Sequence, residues 1–91
     1  MNNVSELLIA EETIVVDVRT PAEFMEAHLA KSVNIPLNEL QGRLDEFKSV
    51  KHILLCCASG VRSKKATNFL KQNGIECQDG GSWSDLDKQL R

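Results

Sequence analysis

An α/β fold, with a small and mostly parallel sheet flanked by helices on both faces, is what these 91 residues predict. Two observations carry that expectation. Short apolar runs rich in β-branched residues, such as Thr13-Ile14-Val15-Val16-Asp17-Val18, do not alternate with polar residues, which is the pattern of strands buried on both faces. Segments with helical caps and spacing separate those runs, and strands alternating with helices pack as a parallel sheet covered on both sides.

The elements follow in order. Thr13–Val18 is the first strand. Pro21 after Thr20 suits the first turn of a helix, with Thr20 as N-cap and Glu23 in the first turn, where a negative charge is favoured. That helix is brief and ends near His28. Ser32-Val33-Asn34-Ile35 is a second short strand, stopped by Pro36. Leu37, Leu40, Leu44 and Phe47 recur at helical spacing, which predicts a helix between about Leu37 and Lys48. Ile53–Cys56 is the central strand. Ala66, Phe69 and Leu70 form the apolar stripe of the next helix, which Asn73-Gly74 ends. Ile75-Glu76-Cys77 is expected to be the last strand, and Trp83, Leu86 and Leu90 to face inward from a closing helix.

Length and composition narrow the function classes. A chain of this size makes one domain, here residues 1–91, with no room for a separate substrate domain. The 42% hydrophobic and 26% charged residues are ordinary globular values. A formal charge of −2 supplies no basic stripe for nucleic acid. No apolar run approaches the roughly 20 residues that span a bilayer, and Met1-Asn2-Asn3-Val4-Ser5-Glu6 lacks the basic and apolar regions of a secretory signal. A cytoplasmic, monomeric protein with no nucleic-acid or membrane partner is the expectation. The three cysteines, Cys56, Cys57 and Cys77, have no zinc-ligand spacing. Adjacent Cys56 and Cys57 on a strand point to opposite faces. No metal and no cofactor is expected; a reducing compartment and one reactive thiol account for the cysteines better.

The chemistry concentrates in His52-Ile53-Leu54-Leu55-Cys56-Cys57-Ala58-Ser59-Gly60-Val61-Arg62-Ser63-Lys64-Lys65-Ala66. A buried strand delivers Cys57 into a loop of small residues, and a helix starts directly after it. Ligands in parallel sheets bind beyond the carboxyl ends of strands, where Cys57 sits. Thiolate is the nucleophilic form, and a helix N-terminus or a nearby arginine lowers a cysteine pKa from about 8.5 into the range of about 3.5–7.5. Consecutive backbone N–H groups of a tight loop form an anion-binding concavity.

This loop resembles the active-site loop of the rhodanese family of sulfurtransferases, Cys-x-x-Gly-x-Arg-Ser, onto which Cys57, Gly60, Arg62 and Ser63 fall. Val15-Val16-Asp17-Val18-Arg19-Thr20-Pro21-Ala22-Glu23-Phe24 is similar to the amino-terminal signature of that family, and His28-Leu29 through Asn34-Ile35-Pro36 continues it. The resemblance runs from about Ile14 to about Trp83. It implies a ping-pong sulfurtransferase. Cys57 thiolate takes the sulfane sulfur of a donor such as thiosulfate, and a thiophilic acceptor such as cyanide, or a protein or small-molecule thiol, removes it. Backbone N–H groups of Ala58, Ser59, Gly60, Val61 and Arg62 are expected to stabilise charge on sulfur. It also implies that Asp17, Arg19 and Glu23 support the loop by ion pairing rather than perform chemistry, since a buried carboxylate must be paired.

Other residues read as follows. Cys57 is expected to be exposed where the chain turns; Cys56 and Cys77 read as packing residues. Arg62 closes the loop, its guanidinium reaching loop carbonyls or an incoming oxyanion. Ser59 and Ser63 are loop and cap hydroxyls, with Ser63 as the expected N-cap. His28 is structural, because transfer from an anionic thiolate needs no general base. Lys31 stands where the family usually has glycine; with φ > 0 it would cost on the order of 1 kcal/mol, which a local backbone shift avoids. Phosphatases and arsenate reductases share the cysteine-loop-arginine plan. Related phosphatases of this fold carry one more residue between Cys and Arg than Ala58, Ser59, Gly60 and Val61 supply, and a smaller loop suits one sulfur atom better than a tetrahedral oxyanion. A non-enzymatic sulfur-carrier or protein-interaction module of the same fold is the alternative to an enzyme.

Overall fold

The computed structural model describes residues 3–91; Met1 and Asn2, the start of the segment read for a secretory signal, lie outside them. Four strands, β1 (Thr13–Asp17), β2 (Ser32–Asn34), β3 (His52–Cys57) and β4 (Gln78–Ser82), form one sheet in the order β2-β1-β3-β4. Every pairing is parallel: Val16 lies beside Val33 on one side and Leu55 on the other. The central strands β1 and β3 are therefore the most buried, which is why their sequences are nearly continuous runs of Val, Ile and Leu. All four strands run the same way, so their carboxyl ends, and Cys57 with them, share one edge of the molecule.

Two layers cover the sheet. On one face Val16, Ile53, Leu55 and Cys57 pack against Ala66 and Leu70 of α3 (Val61–Gln72), with Leu40 and Phe47 from the segment Leu37–Phe47. On the other, Val15, Leu54 and Cys56 pack against Leu7 and Leu8 of α1 (Val4–Ile9) and Leu86 of α4 (Trp83–Gln89). A one-residue shift along β3 thus moves a side chain from one layer to the other. Between β1 and β2, α2 (Pro21–Glu26) buries no side chain. Its stability comes instead from a capping box: Glu23 N–H donates to Thr20 Oγ1, and Thr20 N–H donates back to Glu23 Oε1. No described helix is long and apolar enough to cross a membrane.

Four expectations need correction, and the alternative left open at Lys31 is decided. The Leu37–Phe47 segment is 3-10 rather than α-helical, with non-helical backbone at Arg43 (φ −126°, ψ 20°). Gly42 lies mid-segment, where glycine weakens an α-helix by roughly 0.5–1 kcal/mol relative to alanine. The last strand is Gln78–Ser82, not Ile75–Cys77; Ile75 is buried, but from a loop that follows α3. Leu90 is 41% exposed at the end of α4, while Leu86 is fully buried. Lys31 does not take a positive φ, because the described non-glycine residues all avoid it. Its backbone follows an ordinary turn, and its ammonium donates to the Leu8 carbonyl. The helix α1 stands where no element is expected. A signal for it is present in the sequence: Asn3 caps it and Glu6 completes the box.

Candidate active site

Cys57 is the last residue of β3, and the chain turns at Ala58-Ser59 before α3 begins. Gly60, not Ser63, is the N-cap of α3, a correction with a clear cause. At φ +101° Gly60 occupies the left-handed region that a side chain resists, and this bend brings the loop back over the sulfur. Gly60 N–H then donates to Cys57 Sγ at 3.0 Å and Ser63 N–H at 3.3 Å. Ser63 is fully buried in the first turn of the helix, and its hydroxyl lies 3.1 Å from the Gly60 carbonyl. The loop therefore wraps Cys57, which is 1% exposed rather than open to solvent.

Burial by itself pushes the Cys57 thiol up. The Ser63 hydroxyl and the N–H groups of Ser63, Gly60 and Ser59 outweigh it and hold the thiol below the ordinary cysteine value. Cys56 behaves oppositely. It faces the other layer, and burial, reinforced by the negative charge of Asp17 and only partly offset by Arg19, pushes it up to about 12. Burial also raises Cys77. One thiol of the three is set to ionise. Among the described residues no three His, Cys, Asp or Glu side chains cluster closely enough to hold a metal ion.

The three residues grouped as supporting fall into two separate pairs. Glu23 reaches the loop: Arg62 Nη1 donates to its Oε1 at 2.7 Å and Nη2 to its Oε2 at 2.8 Å. Arg62 is thus turned to α2 and away from the loop carbonyls. This pairing holds the Glu23 carboxyl down at about 2, with Thr20 N–H contributing. Asp17 and Arg19 pair with one another instead, at 2.8 Å and with both side chains buried. Arg19 also donates to the Ala27 carbonyl at 2.7 Å and lies over the Trp83 ring, 5.0 Å from its centroid. His28 is held at the end of α2 by its Nδ1 against the Phe24 carbonyl and by stacking on the Phe24 ring.

One neighbour was not signalled by the loop motif. The register between β3 and β4 slips after Leu55, so that Leu55 pairs with Asp79, Cys56 with Gly81 and Cys57 with Ser82. Gly80 is the extra residue of this bulge, and Gly81 lies against Gly60: a Cβ on Gly60 would stand 3.8 Å from Gly81 Cα. The paired glycines of β4 thus form the wall beside the Cys57 loop. The concavity around Lys51, His52 and Cys77 is at the opposite end of β3 and shares nothing with it.

A parallel sheet that ends in a cysteine wrapped by backbone N–H groups defines a thiolate-loop α/β domain. Residues 1–84 match the model of the rhodanese-like domain, and the chain belongs to that family. A rhodanese-related protein of Thermoplasma volcanium has the same fold, with a TM-score of 0.80 and 30% identity, covering 97% of this chain and 90% of that one. A sulfurtransferase of Allochromatium vinosum is 31% identical over 64 residues, which cover 70% of this chain and 60% of that protein. The candidate sulfur carrier protein YrkF of Bacillus subtilis is 35% identical over 66 residues, 72% of this chain and 36% of that protein. The chain accordingly spans less than two thirds of the length of each of these two relatives.

Proposed function

We propose that the chain, residues 1–91 acting as one monomeric unit, is a sulfurtransferase that carries sulfane sulfur as a Cys57 persulfide. The observation that supports this best is the pair of backbone N–H donors, Gly60 and Ser63, aimed at a single sulfur with a lowered pKa. Such fixed donors cost no reorganisation when charge develops on sulfur. In the first half-reaction the Cys57 thiolate attacks the outer sulfur of a donor such as thiosulfate. The new S–S bond forms as the donor S–S bond breaks, and its electron pair leaves with sulfite. In the second, a thiophilic acceptor, cyanide or a small-molecule or protein thiol, takes the outer sulfur and releases the thiolate. Neither step calls on a cofactor, and a reducing compartment such as the cytoplasm keeps Cys57 free.

Ala58, Ser59 and Val61 shape the loop in this scheme, Glu23 and Arg62 fix its helix end, and Asp17 with Arg19 braces the strand beneath. The sulfur-carrier alternative keeps the same persulfide but hands it to one partner. Both are tested together. Incubation with thiosulfate should add one sulfur atom to Cys57, located by peptide mass spectrometry, and Cys57→Ser should add none. Continuous thiocyanate production from cyanide marks an enzyme; a single loading without turnover marks a carrier. No sulfur on the wild-type Cys57 from any sulfane donor would end both readings.

A further inference from the structure

The chain carries a formal charge of −2, yet α3 holds Arg62, Lys64, Lys65 and Lys71 and no aspartate or glutamate. Arg62 is neutralised by Glu23. Lys64 and Lys65 are not answered in this way: among the described residues neither takes part in an ion pair. The acids of the neighbouring segment Leu37–Phe47 are engaged with other cations, Glu39 and Glu46 with Arg43 and Asp45 with Lys48. Val61, Lys64, Lys65 and Asn68 are all exposed, and their spacing places them on one face of the helix. That face starts at the Cys57 loop, since Val61 follows Gly60, whose N–H donates to the sulfur. Lysines so near a helix N-terminus stand close to the positive end of its dipole, where cations are disfavoured. Neither is buried in return, so folding gains nothing from placing two of them there.

Cys57 itself is 1% exposed, so an acceptor approaches its outer sulfur over Ala58, Ser59 and Val61, which are exposed. We propose that this acceptor is a protein thiol set in an acidic surface, which docks on the outer face of α3 through Lys64 and Lys65, with Val61, 60% exposed, as the apolar contact. This rests on the sulfurtransferase reading above. An exposed valine beside two cations suits a protein; a nucleic acid asks for a longer basic track and aromatic platforms for its bases. Charges at the rim of an interface speed encounter more than they tighten the complex, which fits an acceptor that must leave once it is loaded. The step balances without an external oxidant. The acceptor thiolate RS⁻ attacks the outer sulfur of Cys57–S–SH, the inner S–S bond breaks, and its electron pair returns to Cys57 as thiolate. The acceptor leaves as R–S–SH.

The full chain, its Cys57 loaded with sulfane sulfur from thiosulfate or polysulfide, is mixed with a synthetic peptide that sets one cysteine among glutamates. The same peptide with glutamines in their place is the reference, and quenched mass spectrometry follows the sulfur from Cys57 to the peptide. The ratio of the two rates should fall by about tenfold or more in Lys64→Glu/Lys65→Glu. The intrinsic reactivity of each thiol cancels in that comparison. In wild type the ratio should also fall as salt rises from about 0.05 to about 0.5 M, where exposed charges are screened. Both substitutions are on the surface, and glutamate is favoured nearer a helix N-terminus, so the variant folds. A ratio unmoved by the double substitution, or insensitive to salt, overturns the inference. A single-stranded oligonucleotide that blocks transfer at lower concentration than a thiol-free glutamate peptide does would overturn it in favour of a nucleic acid. If loaded Cys57 yields its sulfur to no thiol, dithiothreitol included, the transfer reading itself falls, and this inference with it.

Discussion

Cys56 and Cys57 are consecutive, and their thiols are driven in opposite directions. Alternation along β3 sends one side chain into the layer of α1 and α4, where no N–H group answers a thiolate, and the other toward α3, where two do. Iodoacetamide labelling against pH should therefore find a Cys57 midpoint below about 8.5, the free-cysteine value, with Cys56 unreactive until strong alkali. Labelling of Cys56 first would contradict the geometry. The sign of the linked stability follows. A thiol whose folded pKa is depressed contributes stability that is complete above the unfolded pKa and disappears as pH falls through the folded one. The stability difference between wild type and Cys57→Ala, measured by urea unfolding, should thus move in favour of wild type as pH rises toward about 8.5. The place of Cys57 at the end of a strand, before a tight loop and a helix, was legible from sequence because adjacent small residues and a helix start leave few other conformations. The partner of Arg62 was not, because 39 residues separate it from Glu23 and nothing local marks the pairing.

At the scale of elements, β1 stands out in the sequence as a β-branched run and β3 as an apolar one, and β4 does not. Gln78-Asp79-Gly80-Gly81-Ser82 has poor strand propensity, and it is a strand only because the open edge of β3 pairs with it. The apolar triplet Ile75-Glu76-Cys77 draws the eye instead, yet Ile75 buries its side chain from a loop. Leu37, Leu40, Leu44 and Phe47 fit α and 3-10 spacing almost equally, so periodicity alone could not separate them. Gly80 shows what the β4 bulge demands. A Cβ there would lie 2.9 Å from the Leu55 carbonyl and 3.1 Å from Leu54 Cγ. Gly80→Ala should cost about 1–3 kcal/mol in urea unfolding and slow sulfur loading, since Gly81 and the wall beside Gly60 must shift. Gly42→Ala, where a Cβ meets nothing within 4 Å, should not destabilise and serves as the contrast.

For the whole molecule, the buried Asp17–Arg19 pair joins parts that no strand pairing connects. Through it β1, the residue after α2 and the first residue of α4 meet around one guanidinium. Asn34 closes the same turn by donating to the carbonyls of Asp17 and Arg19. Replacing Asp17 with Asn leaves a buried cation unanswered, at a cost of about 3–5 kcal/mol. Against a total stability of about 5–15 kcal/mol for a domain, that is a large share. Chemical denaturation of Asp17→Asn checks it, and a loss under about 1 kcal/mol, the worth of an exposed pair, would show that the buried pair braces nothing.

The contact between the two outermost helices has a different bearing. Ser5 Oγ, in the first turn of α1, donates to Gln89 Oε1, in the last turn of α4, at 2.9 Å. Gln89 is also the end of α4 remote from Ser82, the strand partner of Cys57; seven residues of helix put roughly 10 Å between them. The two helices thus act as a backing plate, laced together on the layer that Cys57 does not face.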